Sequence, residues 1–246
     1  MTKLVSLIIG LFSANIIYSQ ELSKSQLDQW LNNPDAPIPL VKKNRKINEG
    51  KLTFLDPSKH KNVMHSDNNI RIDAQSLKTG WVELRQCYRN LDAFPRVQIV
   101  YKYRNIRHLK IKSVKKIKSA KIEGRSVQLV DVQKGALLCI SAQIQSLQKT
   151  VTGYQLQNGP FRRKFLDGYF PLHVTVNVRF PNLQITLESI KPKSVQGTKF
   201  LGIQVSKSIN RVTLNALFEG VLNTQLNFTL VANLRHRNNK IVNQKK

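Results

Sequence analysis

From Leu172 to Phe180 the chain alternates without a break. Leu172, Val174, Val176, Val178 and Phe180 are apolar, and His173, Thr175, Asn177 and Arg179 between them are polar. Side chains on an extended strand point to opposite faces in turn, so this pattern demands a strand with one face buried and the other in water. The same period of two sets Val97, Ile99, Tyr101 and Tyr103 against Gln98, Lys102 and Arg104, and Leu109 and Ile111 against Lys110 and Lys112. Near the end it sets Leu226, Phe228, Leu230 and Ala232 against Gln225, Asn227 and Thr229. Strands are also expected around Trp81–Tyr88, Ser126–Val132, Ala136–Leu147, Leu183–Leu187, Phe200–Val205 and Val212–Phe218. Gln133-Lys134-Gly135 and Asn158-Gly159-Pro160 read as turns between strands. Helices of crossover length are missing between these segments, which argues against a parallel α/β sheet. The expected fold is all-β: an antiparallel β-sandwich-like domain, or two small packed β units.

The alternation defines residues 79–234. Before it, Ser23 reads as the cap of a short helix that places Leu27, Trp30 and Leu31 on one side and stops at Pro34 and Pro37. From Val41 to about Lys78 the apolar residues have no period, so residues 20–78 read as a loosely ordered basic arm carrying that helix. Residues 235–246 form a basic tail with five positive charges and no acid. At the other end, Lys3 precedes a mostly apolar run from Leu4 to Ile17 that is too short to span a bilayer comfortably. This is the plan of a signal peptide over residues 1–19, cleaved near Ser19, and it implies a periplasmic or secreted protein.

Export gives meaning to the two cysteines, Cys87 and Cys139. An even count in an oxidising compartment fits one bridge, and the strand-like residues around both make it a staple between strands. There is no Cys-x-x-Cys, and no histidine stands at ligand spacing beside either cysteine, so neither redox nor metal chemistry is indicated. His60 and His65 flank a loop-like segment ending in Asp67, where no helix or strand would fix a ligand geometry. His173 reads as an ordinary residue on the exposed side of its strand.

Charge narrows the partner. Forty basic residues against fourteen acidic give a net charge of +26, which bears on association and solubility rather than on fold. No acid occurs between Asp92 and Glu123, and nine of the twenty residues from Lys102 to Lys121 are Lys or Arg. Lys102, Arg104, Arg107, Lys110, Lys112, Lys115, Lys116 and Lys118 are therefore candidates for binding an anion. A second candidate is the loop Phe161–Pro171, where Arg162, Arg163 and Lys164 are interleaved with aromatic residues. Each has a plainer reading. Lysines on an exposed strand protect an edge against aggregation, and Phe165, Tyr169 and Phe170 can plug the end of a β core.

Motifs for catalysis are missing: there is no nucleophile elbow, phosphate loop or zinc-protease motif, and Asp92, Asp131 and Asp167 read as turn residues. The expectation is an exported, non-catalytic envelope protein of unknown specific role, with no cofactor and no metal. Its expected partner is an anionic membrane surface, a wall polymer or an acidic protein. The alternatives are an exported hydrolase of a polyanionic polymer, and a nucleic-acid-binding protein, which export disfavours. Two acids meeting in a cleft would favour the hydrolase, and a flat cationic sheet face would favour binding.

Overall fold

A computed structural model describes residues 48–165, 168–181, 183–193 and 202–230, all within the unit Lys46–Lys246. The expected signal peptide, the helix at Ser23–Leu31 and the basic tail lie outside the described residues. The strands are β1 (Thr53–Phe54), β2 (His65–Arg71), β3 (Trp81–Leu91), β4 (Phe94–Val100), β5 (Ile106–Glu123), β6 (Ser126–Gln145), β7 (Leu147–Lys149) and β8 (Gly153–Phe161). They continue as β9 (Lys164–Phe165), β10 (Gly168–Tyr169), β11 (Leu172–Arg179), β12 (Ile185–Lys191), β13 (Gln204–Ser208), β14 (Arg211–Glu219) and β15 (Leu222–Leu230). One short helix, α1 (Ala74–Thr79), joins β2 to β3.

The fold is all-β, as the alternation requires. A large sheet runs in the order β1-β14-β11-β2-β3-β6-β4, with β13 added on β14 and β5 on β6; a second sheet runs β12-β15-β8-β7. The inward rows of both sheets share one apolar core. Phe180, just after β11, meets Phe228 of β15 edge-on with ring centres 5.3 Å apart, and both are fully buried.

The β region begins earlier than position 79. β2 occupies the centre of the large sheet, antiparallel to β3 and parallel to β11. Its sequence, His-Ser-Asp-Asn-Asn-Ile-Arg, carries a single apolar residue, which is why it reads as part of an arm. The inward positions are Ser66, Asn68 and Ile70, all buried. Gln86 on β3 satisfies the two polar ones, its Nε2 donating to Asn68 Oδ1 at 2.6 Å and to Ser66 Oγ at 3.0 Å. Asn68 Nδ2 in turn donates to the Thr175 carbonyl on β11 at 3.0 Å. Buried polar groups are tolerable when they satisfy one another, so a polar segment becomes a central strand. α1 then reverses the chain. Asp73 caps it, accepting from Ser76 N at 2.8 Å while Ser76 Oγ accepts from Asp73 N at 3.1 Å.

Two expected turns are bulges inside strands. β6 is continuous over twenty residues through Gln133-Lys134-Gly135, and the tight turn lies at Gly124-Arg125 between β5 and β6. Asn158-Gly159-Pro160 lies within β8, where the pairing with β15 shifts register between Leu222 and Thr224. Gly159 has φ +115 there. A glycine between strand-like residues marks either a turn or a bulge, and here its freedom is used for the bulge.

Candidate functional site

Register carries residues of one strand into rows across the large sheet. On the face turned away from the core, Arg107, Gln143, Glu83, Arg71, Arg179 and Arg211 form one row over six strands. Lys110, Ser141, Arg85, Asn69, Asn177 and Thr213 form the next. A third contains Ser113, Cys139, Cys87, Asp67, Thr175 and Asn215, so the bonded cysteines face each other directly across β3 and β6. Beyond it, Arg89, His65 and His173 continue the pattern.

This face is cationic. Arg71, Arg85, Arg89, Arg107, Lys110, Lys115, Arg179 and Arg211 are all exposed. The acids in these rows are Glu83 and Asp67, and Asp67 already accepts from Asn69 and Asn177, at 3.3 and 3.2 Å. Lys112 joins Lys110, Arg85 and Glu83 around a shallow groove of about 730 Å³ that passes over the disulfide.

The expected anion-binding residues divide among several places. Arg107, Lys110, Lys112, Lys115, Lys116 and Lys118 all sit on β5, which pairs with β6 alone among the described strands and so forms an edge. Arg107 lies over the Trp81 ring at 4.2 Å and its Nε donates to Gln143 Oε1 at 2.9 Å. Lys118 pairs with Asp131 at 3.2 Å, both exposed. Arg163 is a packing residue. It pairs with Asp92 in the corner after β3, donates to the Pro171 carbonyl at 2.9 Å and lies over the rings of Phe165 and Phe170. Phe165 also stacks on Phe94 at 4.4 Å, so these aromatics close the end of the core rather than offer a free platform. Arg162 and Lys164 remain exposed beside them.

Lys102 and Arg104 stand apart from the lysines of β5. With Lys191 they border a cleft of about 380 Å³ whose wall includes Ser146 and Asn158. Tyr103 reaches into the same region and its hydroxyl donates to Asn158 Oδ1. Burial pushes the Tyr103 pKa well above its ordinary value, so this hydroxyl keeps its proton.

A third cavity, of about 250 Å³, is bordered by His60, His65 and His173. Burial holds His65 and His173 below the ordinary histidine pKa; a nearby Arg89 adds to this at His65, partly offset by Asp67, and His65 adds to it at His173. Among the described residues no group of three or more His, Cys, Asp or Glu is placed to hold a metal.

Arg71, Arg85, Arg89 and Arg211 were not candidates from sequence. Alternation puts Arg179 on the outward side of its strand, but nothing local shows that Arg71 and Arg211 flank it. That depends on the parallel pairing of β2 with β11.

No known protein family matches the chain, and no curated protein matches it. Among solved structures, two crystal structures of a mutant M1 zinc metallopeptidase from Deinococcus radiodurans, one bound to a Tyr-Ser-Ala substrate, are similar at 12% identity, with TM-scores of 0.35 and 0.33. The overlap covers 64% of this chain and 42% of theirs. This chain therefore spans less than half the length of those proteins, and the likeness is too slight to carry their activity over.

Proposed function

We propose that this is an exported, non-catalytic protein that docks on an anionic surface through the outer face of its large sheet. The observation that carries the reading is the direct opposition of Arg71, Arg179 and Arg211 on three neighbouring strands. Adjacent strands lie about 5 Å apart, and like charges directly opposite one another destabilise a sheet. Edge protection accounts for lysines on β5. It does not account for these arginines, because β2 and β11 are interior strands. An anionic partner relieves their repulsion, and rows about 5 Å by 7 Å present a regular field of charge to it. The disulfide supports an oxidising compartment.

A glycoside hydrolase acting on an acidic polysaccharide works through a pair of carboxyl groups. The three clefts described contain one carboxylate between them, Glu83, which favours binding over cleavage.

The test is a salt titration of binding to vesicles containing anionic lipid, to an anionic wall polymer and to duplex DNA. It compares wild type, the triple variant Arg71→Gln/Arg179→Gln/Arg211→Gln, and a variant with Lys110, Lys112, Lys115, Lys116 and Lys118 changed to Gln. Affinity should fall steeply with salt. On DNA each lost contact would lower the log–log slope by about 0.9, with smaller changes on a fluid bilayer. Loss of affinity in the arginine variant supports the docking face. Unchanged affinity and slope in both variants would return the charges to a solubilising role.

A further inference from the structure

The cleft bordered by Lys102, Arg104 and Lys191 is lined by Ser146 and Asn158, whose buried Oγ and Nδ2 have no hydrogen-bond partner among the described residues. Both residues are more than nine-tenths buried. The orientation of Asn158 follows from its neighbours. A backbone N–H can only donate, so the side-chain atom 3.1 Å from Gly159 N is the oxygen. That oxygen also accepts from the Tyr103 hydroxyl, and Thr224 Oγ1 donates to the Asn158 carbonyl at 3.3 Å. The side-chain oxygen is thereby held by two donors and the main chain of Asn158 by a third, while the NH2 is left without an acceptor among the described residues. Folded proteins rarely retain such a donor unless something in the site accepts from it.

The walls are built before any ligand arrives. Arg125 donates to the carbonyls of Tyr103 and Arg104, and Tyr101 N donates to the Arg125 carbonyl at 2.9 Å. Asn105 Nδ2 donates to Gln145 Oε1 at 2.6 Å, while Gln145 N donates to the Asn105 carbonyl at 3.0 Å. These contacts fix the loop between β4 and β5 that supplies Lys102 and Arg104. The lining also takes in a row across the small sheet, Lys191, Gln225 and Gln157, set by register. Among the described residues three cations and several amides line the cleft and no carboxylate does.

We infer that this cleft is a binding site for the oxyanion of a small polar solute. The chemistry is phosphate, sulfate or carboxylate, accepting from the Asn158 NH2 and the Ser146 hydroxyl and neutralised by Lys102, Arg104 and Lys191. Glutamine amides, which both donate and accept, suit a hydroxylated body behind the anion. A volume of about 380 Å³ falls in the range of small-molecule sites. This goes beyond docking on a surface, because it needs a shaped recess and buried donors rather than a field of exposed charge.

The full-length mature protein is titrated with inorganic phosphate, sulfate, glucuronate and glucose, read by calorimetry and by the Asn158 side-chain NH2 resonance. At least one anion should bind saturably and move that resonance, and glucose should not. Phosphate or sulfate alone would identify a free anion, and tighter binding of glucuronate an acidic sugar. Lys191→Gln and Arg104→Gln, at exposed positions, should each weaken binding about tenfold, as expected for a lost charged contact. Asn158→Asp keeps the acceptor for Tyr103 and Gly159 but replaces the NH2 with a carboxylate oxygen, so it should abolish binding. The triple arginine variant of the outer sheet face should bind as wild type does, which separates this site from surface docking. Non-saturable responses to every anion, equal binding of glucose and glucuronate, or wild-type affinity in both Lys191→Gln and Arg104→Gln would overturn the assignment.

Discussion

The imidazole rings of His65 and His173 are stacked with centres 4.2 Å apart and planes 14° from parallel, directly opposite each other on the parallel strands β2 and β11. His65 Nε2 also lies 2.8 Å from Thr175 Oγ1. Two imidazolium ions at that distance repel, and burial already disfavours the charged form of each.

The pH dependence of stability follows in sign. In the unfolded chain both rings take up protons near pH 6.5, whereas in the folded protein both do so only at lower pH. The unfolded state therefore binds more protons in this window, and stability rises with pH through it. The contribution is fully present above about pH 6.5 and is lost as pH falls through the lowered folded values. Urea midpoints at pH 7.5, 6.5 and 5.5 should decrease in that order, and His173→Gln should flatten the trend.

Ile70 tests the place of β2. It is 1% exposed in the core of the large sheet, so Ile70→Ala should cost about 2–5 kcal/mol in equilibrium unfolding. A residue in an arm would cost almost nothing. Limited proteolysis should likewise spare residues 65–79.

Gly153 faces the backbone of β15. A Cβ there would lie 2.0 Å from the Phe228 carbonyl oxygen, which no side-chain adjustment can relieve. Gly153→Ala should force β8 away from β15 and cost at least about 2–4 kcal/mol, seen as a lowered denaturant midpoint.

The bond between Cys87 and Cys139 closes a separation of 52 residues. The chain-entropy treatment gives about 4 kcal/mol for a loop of that size. Thiol titration of the unreduced, denatured protein should find none free, and the paired Cys87→Ser/Cys139→Ser variant should lose up to that much stability.

The strands with an apolar side were legible in sequence, and β11 is the clearest: every inward residue is apolar and every one is buried. β2 was not legible because its inward Ser66 and Asn68 look solvent-facing until Gln86, twenty residues away from Ser66, is brought beside them. The bulges at Gly135 and Gly159 read as turns because glycine serves both. The oxyanion cleft drew Lys102 and Arg104 from a basic run, but Ser146, Asn158 and Lys191 come from other elements. No periodicity along one segment can show such a meeting.

The central position of β2 also sets an order of events for the growing chain. Its antiparallel partner β3 follows directly after α1, but its other neighbour, β11, lies far along the sequence, His65 and Thr175 being 110 residues apart. β1 waits longer still, pairing Thr53 with Glu219. Contacts of such long range must close large loops before they reward the chain, which places folding on the slow, millisecond-to-second side. Until β11 is available, the far edge of β2 is a bare row of backbone donors and acceptors. A chain halted before Leu172 would present that edge to its neighbours and aggregate through it.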